Sequence, residues 1–240
     1  MIKGKKIIAI IPVRKNSQGI RNKNLIKIGK YSLLERTILI AKKSKFIDDV
    51  VVSTDCKKMF KISKKYKANL NQLRPKNLAT SKALTIDVIK DVITKKKIKE
   101  SYILLLQVSS PTRTLRMTNF FLKKFSQNKA ATSSVSLTRI LHPHPDKIQT
   151  VKNNFVKSYL DKESMVPREL LPKVYCLNGL FYIAESKYIV KKNTFFTKKT
   201  SPFFIDHNKS LNLDSSEDIV ILKDKIKKKE INQNFLQKWK

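Results

Sequence analysis

Short apolar runs alternate with segments of helical period along most of the chain, and this alternation narrows the fold more than any other feature. "KIIAIIPV" (Lys6 to Val13) suits a strand buried on both faces and is too short for an ordinary helix. "DVVVSTD" (Asp49 to Asp55) and "YILLLQ" (Tyr102 to Gln107) repeat the pattern; the latter is the most apolar and is expected near the middle of a sheet. Between these runs, "YSLLERTILIAKKSK" places Leu34, Ile38 and Ala41 on one helical face, and Ser32 with Glu35 reads as a capping box. A Lys-rich helix is expected over Lys57 to Lys67, a short strand near Asn69 to Leu73, and a third helix in "TIDVIKDVITKKK", where Ile86, Ile89 and Ile93 align. Strands alternating with helices predict βαβ units and therefore an α/β fold with a mainly parallel sheet.

Helix and strand follow once more in "TNFFLKKF" and "ATSSVSLT", and then the rhythm fails. From Leu141 to Leu177 the sequence holds Pro143, Pro145, Pro167 and Pro172 with only short apolar pieces, which predicts an excursion from the main sheet. "NGLFYIAE" resumes the sheet and "DSSEDIVILKDKIKK" supplies a last amphipathic helix. The expected organisation is a main domain of 1–140 and 178–240 with 141–177 inserted.

At 240 residues and 41% hydrophobic content the chain can bury one substantial core. No apolar run approaches the roughly 18 residues that span a bilayer, and Met1 to Lys6 leads straight into a strand, so no membrane association and a cytoplasmic location are expected. Cys56 and Cys176 lack CxxC spacing and are read as small buried thiols; His142, His144 and His207 show no metal spacing. The net charge of +34 raises the question of nucleic acid. Of 52 basic residues eight are arginine, leaving 44 lysines spread over the whole length, with no RNP-like aromatic motif, zinc finger or basic zipper. A nucleic-acid partner is not expected; the lysines read as solvated faces in a chain rich in Lys, Ile and Asn.

In open α/β sheets the loop after the first strand commonly cradles phosphate. Here that loop, Arg14 to Asn24, offers Arg14, Lys15, Arg21 and Lys23 as cations, Asn16 and Ser17 as hydrogen-bond donors, and Gly19 for close backbone approach. It is neither a Walker A nor a GxGxxG loop. A polyanion is its natural occupant.

"IIPVRKNSQGIRNKN" resembles the nucleotide-binding signature IPARxxSKGxxxKN of the CMP-sialic acid synthetases, the acylneuraminate cytidylyltransferases. The resemblance continues in order through "VVSTD", "LRPKNLATSKALTIDVI", "LLLQVSSPTRT", "PRELLPKVYCLNGLFYI" and "SLNLDSSED". It implies a Rossmann-like nucleotidyltransferase fold and a homodimer whose excursion packs on the partner. The implied reaction is attack by the anomeric hydroxyl of a nine-carbon acidic sugar on the α-phosphate of CTP, with Mg²⁺ as cofactor.

By that resemblance Arg14, Ser17, Lys23 and Asn24 grip the triphosphate, with Lys23, Arg14 and Asp214 as the catalytic set, and Arg74, Ala83 and Thr85 line the cytidine pocket. Gln107, Ser110, Lys147, Arg168 and Asn178 are placed at the sugar, and Phe195 with Phe196 at the neighbour's sugar pocket across the dimer or in the interface core. The metal falls to Asp214 and Asn212, and Asp218 to the following helix. Two departures stand out: Gln18 replaces the family's lysine, and Asn212 replaces the first aspartate of its DID motif, which implies weaker metal affinity or altered sugar activation. Cytidylyltransferases for the eight-carbon sugar KDO share the chemistry, but "SQGIRNKN" favours the nine-carbon side. A catalytically weak homologue that binds nucleotide or polyanions is the other alternative.

Overall fold

The computed structural model describes residues 1–15, 19–160, 165–231 and 234–236, the side chain of Arg168 excepted. In chain order the elements are β1 (Lys6–Pro12), a small ribbon of β2 (Lys27–Ile28) and β3 (Tyr31–Ser32), α1 (Leu33–Lys43), β4 (Asp49–Ser53), α2 (Lys57–Lys65), α3 (Thr85–Lys95), β5 (Ser101–Leu105), α4 (Leu115–Gln127) and β6 (Ser133–Arg139). A hairpin of β7 (Gln149–Lys152) and β8 (Phe155–Ser158) follows, then β9 (Tyr175–Glu185), α5 (Ser186–Lys192), β10 (Thr200–Phe204) and α6 (Ser216–Lys227).

The main sheet has the order β10-β6-β9-β5-β1-β4, with every strand parallel except β9, which runs antiparallel to both β5 and β6. Period-two alternation divides β1 between two cores: Ile7, Ala9 and Ile11 face the layer containing α1, α2, α4 and α6, while Ile8 and Ile10 face α3 and α5. Every residue of β5 is buried, as its composition predicts, and it lies in the middle of the sheet. The capping box forms at α1: the Ser32 backbone N–H donates to Glu35 Oε2 at 2.9 Å, and Glu35 N–H donates to Ser32 Oγ at 3.3 Å.

The excursion explains the direction of β9. The chain leaves β6 at the sheet's carboxyl end and returns at that same end, with Tyr175 paired to Arg139, so it re-enters heading the other way. The sheet therefore resumes at Tyr175 and not at Asn178, and the inserted segment is shorter than the sequence suggests. Within the β6–β9 ladder the register jumps: Val135 pairs with Tyr182 but Leu137 with Leu177, so Asn178–Phe181 bulges opposite the single residue Ser136.

Other expectations need correction. The strand near Asn69 to Leu73 is only an isolated bridge, Val52 to Asn69, because the chain must turn at once to deliver Arg74 below β4. Helix α5 and edge strand β10 were not read from the sequence; α5 is short, and β10 contains Pro202, tolerated at a sheet edge. Cys56 is half-buried, and Cys176 is exposed because the start of β9 projects beyond the helical cover. No described helix is long and apolar enough to cross a membrane.

Candidate active site

Strand β1 has parallel neighbours reached in opposite directions, β4 on one side and β5 on the other. Loops leaving such strands diverge and open a crevice at their carboxyl ends. A cleft of about 460 Å³ lies there. Of the residues expected at the site, it is lined by Arg14, Lys23, Asn24, Arg74, Ala83, Thr85, Gln107, Asn212 and Asp214, brought together from four separate stretches of sequence. Ser17 and the neighbouring Gln18 lie outside the described residues.

Six of these side chains, those of Arg14, Lys23, Asn24, Arg74, Asn212 and Asp214, are held by specific contacts. Arg14 Nη1 donates to the Thr80 carbonyl at 2.9 Å, and Asn24 Nδ2 donates to the Arg14 carbonyl at 3.2 Å, closing the loop from within. Asn24 thus shapes the cradle in addition to lining it. Lys23 sits in a single turn entered through Asn22, which has a left-handed φ of 55°. Its Nζ donates to the Leu213 carbonyl and to Asp214 Oδ1, the latter at 3.1 Å. Gly19, at φ 80°, packs so closely on the Asp214 backbone that a Cβ would overlap its carbonyl oxygen.

Arg74 is buried, and its fork is occupied by the scaffold: Nε donates to Ser53 Oγ at 3.1 Å, and Nη2 to the carbonyls of Val13 (3.0 Å) and Ser53. Burial, reinforced by the Arg14 charge, pushes its pKa down to about 10, so it remains a cation at neutral pH. It ties the carboxyl ends of β1 and β4 together and adds fixed positive charge beneath the cleft.

A second lobe of about 320 Å³ adjoins the first and shares Gln107 and Asn212 with it. Thr138, Cys176, Asn178, Tyr182, His207 and Ser210 are among its walls. The sequence reading gave no site role to Cys176, His207 and Ser210, although Cys176 and Ser210 lie within stretches that carry the resemblance; the β9 re-entry and the turn after β10 bring the three together. Asn178 does line the lobe, yet its side chain serves the bulge: Oδ1 accepts from Ser136 Oγ (2.5 Å) and Leu180 N–H (3.2 Å), while Nδ2 donates to Thr138 Oγ1 (2.9 Å). Gly179, at φ 75°, lies against Gln107, where a Cβ would stand 2.5 Å from Oε1.

The remaining expected residues stand elsewhere. Ser110 is buried behind the loop, and Ser109 takes its place on the cleft wall, because the turn after β5 directs successive residues to opposite sides. Lys147 is on the excursion, with Nζ on the Val166 carbonyl at 3.0 Å, and neither lobe includes it. Arg168 begins a short 3-10 turn on the excursion, and its side chain is outside the described set. Phe195 is packed in its own chain's core against Tyr182, so only Phe196, 46% exposed, faces outward.

Asp214 and Asn212 offer hard oxygens to a cation. Asn212 Nδ2 donates to Asp214 Oδ2, while Asn212 Oδ1 is buried with no hydrogen-bond partner among the described residues. No group of three His, Cys, Asp or Glu is poised for metal among them. A divalent ion here would need ligand phosphate and water to complete its oxygen set. Asp218 is used locally, its Oδ2 accepting from the N–H groups of Asp214 (2.8 Å) and Ser215 (2.7 Å) at the start of α6.

A basic loop at the switch point of an open sheet, with a polar lobe beside it, defines a nucleotide-binding α/β protein. The cytidylyltransferase family model matches residues 8–238, and the chain belongs to that family of nucleotidyltransferases. A CMP-N,N'-diacetyllegionaminic acid synthase of Legionella pneumophila is 28% identical over 240 residues, covering 96% of this chain and 99% of that protein. An N-acylneuraminate cytidylyltransferase of Escherichia coli O18:K1:H7 is 32% identical over 214 residues, 89% of this chain and 50% of that protein. The solved structure of a CMP:2-keto-3-deoxy-manno-octonic acid synthetase complexed with CTP shares the Rossmann-like fold, with a TM-score of 0.68 over 94% of this chain and 100% of that one at 12% identity.

Arg74→Met removes donors from buried carbonyl and hydroxyl groups and should lower unfolding free energy by about 3 kcal/mol. Urea unfolding followed by circular dichroism checks this, and an unchanged midpoint would show that the guanidinium is not a structural tie.

Proposed function

We propose that this chain transfers CMP from CTP to the anomeric hydroxyl of a nine-carbon acidic sugar of the sialic, legionaminic or pseudaminic type. The observation that carries this reading is the paired cleft: one lobe rich in cations, the other polar and uncharged at its base, meeting at Gln107 and Asn212. The anomeric oxygen bonds to the α-phosphorus, the bond from that phosphorus to the pyrophosphate oxygen breaks, and the hydroxyl proton passes to the medium. Such a transfer depends on holding both reactants in line and stabilising phosphate charge. Arg14 and Lys23 suit the phosphates, Ala83 and Thr85 the nucleoside, and Gln107 the sugar hydroxyls at the junction.

Asp214 and Asn212 would hold Mg²⁺, which when bound neutralises phosphate charge. Lys23 stands on Asp214 in the free protein, so phosphate and carboxylate are alternative partners for its ammonium group. The relatives' names favour nine-carbon acids over KDO. The exposed apolar residues Val151, Phe155, Val156 and Leu170 on the excursion support a homodimer formed through it. A cytoplasmic location accords with the use of CTP.

Pyrophosphate release with CTP and Mg²⁺ should require one of sialic, legionaminic or pseudaminic acid, with KDO inactive, and Lys23→Met should slow it by about a hundredfold or more. Failure of every acceptor to stimulate release would overturn the reading. Asn212→Asp should reduce the Mg²⁺ concentration giving half-maximal rate by roughly tenfold, since a second carboxylate replaces an amide. In light scattering the protein should have the mass of two chains, and Val151→Lys with Phe155→Lys should halve it; a monomeric parent protein would exclude the dimer.

A further inference from the structure

Arg113 is completely enclosed, yet it forms no ion pair among the described residues. Its Nη2 donates to the Leu180 carbonyl at 2.9 Å, its guanidinium lies 5.6 Å from the centre of the Phe181 ring, and Nε and Nη1 have no hydrogen-bond partner among the described residues. Burial pushes its pKa down to about 9, which still leaves a cation at neutral pH. Keeping a poorly paired charge in the interior works against stability, because its desolvation is offset by a single hydrogen bond among the described residues. Fold stability alone gives no reason for this residue.

The position of its one strong bond does. Leu180 belongs to the Asn178–Phe181 bulge, where the β6–β9 ladder is interrupted and carbonyls lose their usual partners. Ser136 Oγ serves Phe181 by accepting from its N–H at 2.9 Å, while its own proton goes to Asn178 Oδ1; Arg113 serves Leu180. Arg113 also closes its own loop, its backbone N–H donating to the Ser110 carbonyl at 3.3 Å. That loop starts at Gln107, the residue against which Gly179 of the bulge is pressed. One connection therefore joins the far end of the loop to the bulge, and a second brings the bulge back onto the near end.

We propose that Arg113 is a positioning residue for the second lobe, holding the Asn178–Phe181 bulge against Gln107 and so fixing the shape of the acceptor site without touching substrate. The proposal rests on the reading of that lobe as the acceptor site.

The test is Arg113→Met in the full chain, with Arg113→Lys as the conservative variant. Arg113→Met trades the relief of a buried charge against the loss of one donor, so it should shift the thermal midpoint less than Arg74→Met, bind CTP within about twofold of the parent, and lose roughly ten- to a hundredfold in kcat/KM for the acceptor, the scale of a misplacement near 1 Å. Arg113→Lys, whose ammonium can still reach a carbonyl, should recover part of that loss. Hydrogen exchange supplies a readout independent of activity: amides in 178–182 should exchange faster in Arg113→Met, while those of the first loop stay unchanged. Unchanged acceptor kinetics, or equal losses for CTP and acceptor, would overturn the proposal. Should Arg113→Met fail to fold, Gly179→Ala disturbs the same contact from the other side, and a defect in it that is not selective for the acceptor counts equally against the idea. If the parent protein uses no acceptor at all, the proposed function fails, whereas unchanged exchange at 178–182 rejects the Arg113 role specifically.

Discussion

The site depends on β1 being a buried strand with parallel partners on both sides. Its backbone groups are satisfied within the sheet, so the chain beyond Pro12 has to leave in a loop, and the loops after β4 and β5 leave at the same end. Polar residues cannot follow the strand into the interior and are forced into a common rim. The meeting of Arg14 and Lys23 with Gln107 and Asp214 follows from this topology.

Arginine and lysine divide the work in this chain. The lysines are mostly solvated, whereas Arg36, Arg74 and Arg113 are buried. These three donate to main-chain carbonyls, Arg36 to Pro111 at 3.5 Å, Arg74 to Val13 and Ser53, and Arg113 to Leu180. A planar guanidinium can satisfy several acceptors under burial where a flexible ammonium cannot. The scarcity of arginine therefore marks the places where loops around the cleft need internal support, more than places of direct ligand contact.

Periodicity and capping made the βα repeats legible: β1, α1, β4, α3 and β5 all lie within a few residues of their expected limits. The basic loop after β1 could be read as a candidate site because its residues are contiguous. What escaped was set by tertiary contacts. Gly179 is the one local hint of a bulge in β9, but the size of the register jump depends on Ser136 and Arg113, which supply bonds from distant segments. Asn178 looked like a sugar ligand because it precedes a glycine, and its inward hydrogen bonds appear only when β6 is alongside. Phe195 and Phe196 are adjacent in sequence, but their environments diverge because one side of the turn faces α3 and the other solvent. Cys176 and His207 belong to segments far apart in sequence, and only the folded chain shows that they share a cavity.

The pairing of Lys23 with Asp214 also bears on which anions the protein ignores. In a chain of net charge +34 an open cluster of cations would attract every small phosphate in its surroundings. With a carboxylate already on Lys23, an entering anion has to compete with Asp214, a counterion whose side chain is largely exposed. A lone inorganic phosphate gains little from that exchange, since it gives the ammonium about what Asp214 gives. Under the proposed function a triphosphate would engage Lys23 and Arg14 together, so the exchange would favour length and charge number. Under the proposed function, the Lys23–Asp214 pair would bias the free protein against shorter fragments of the triphosphate.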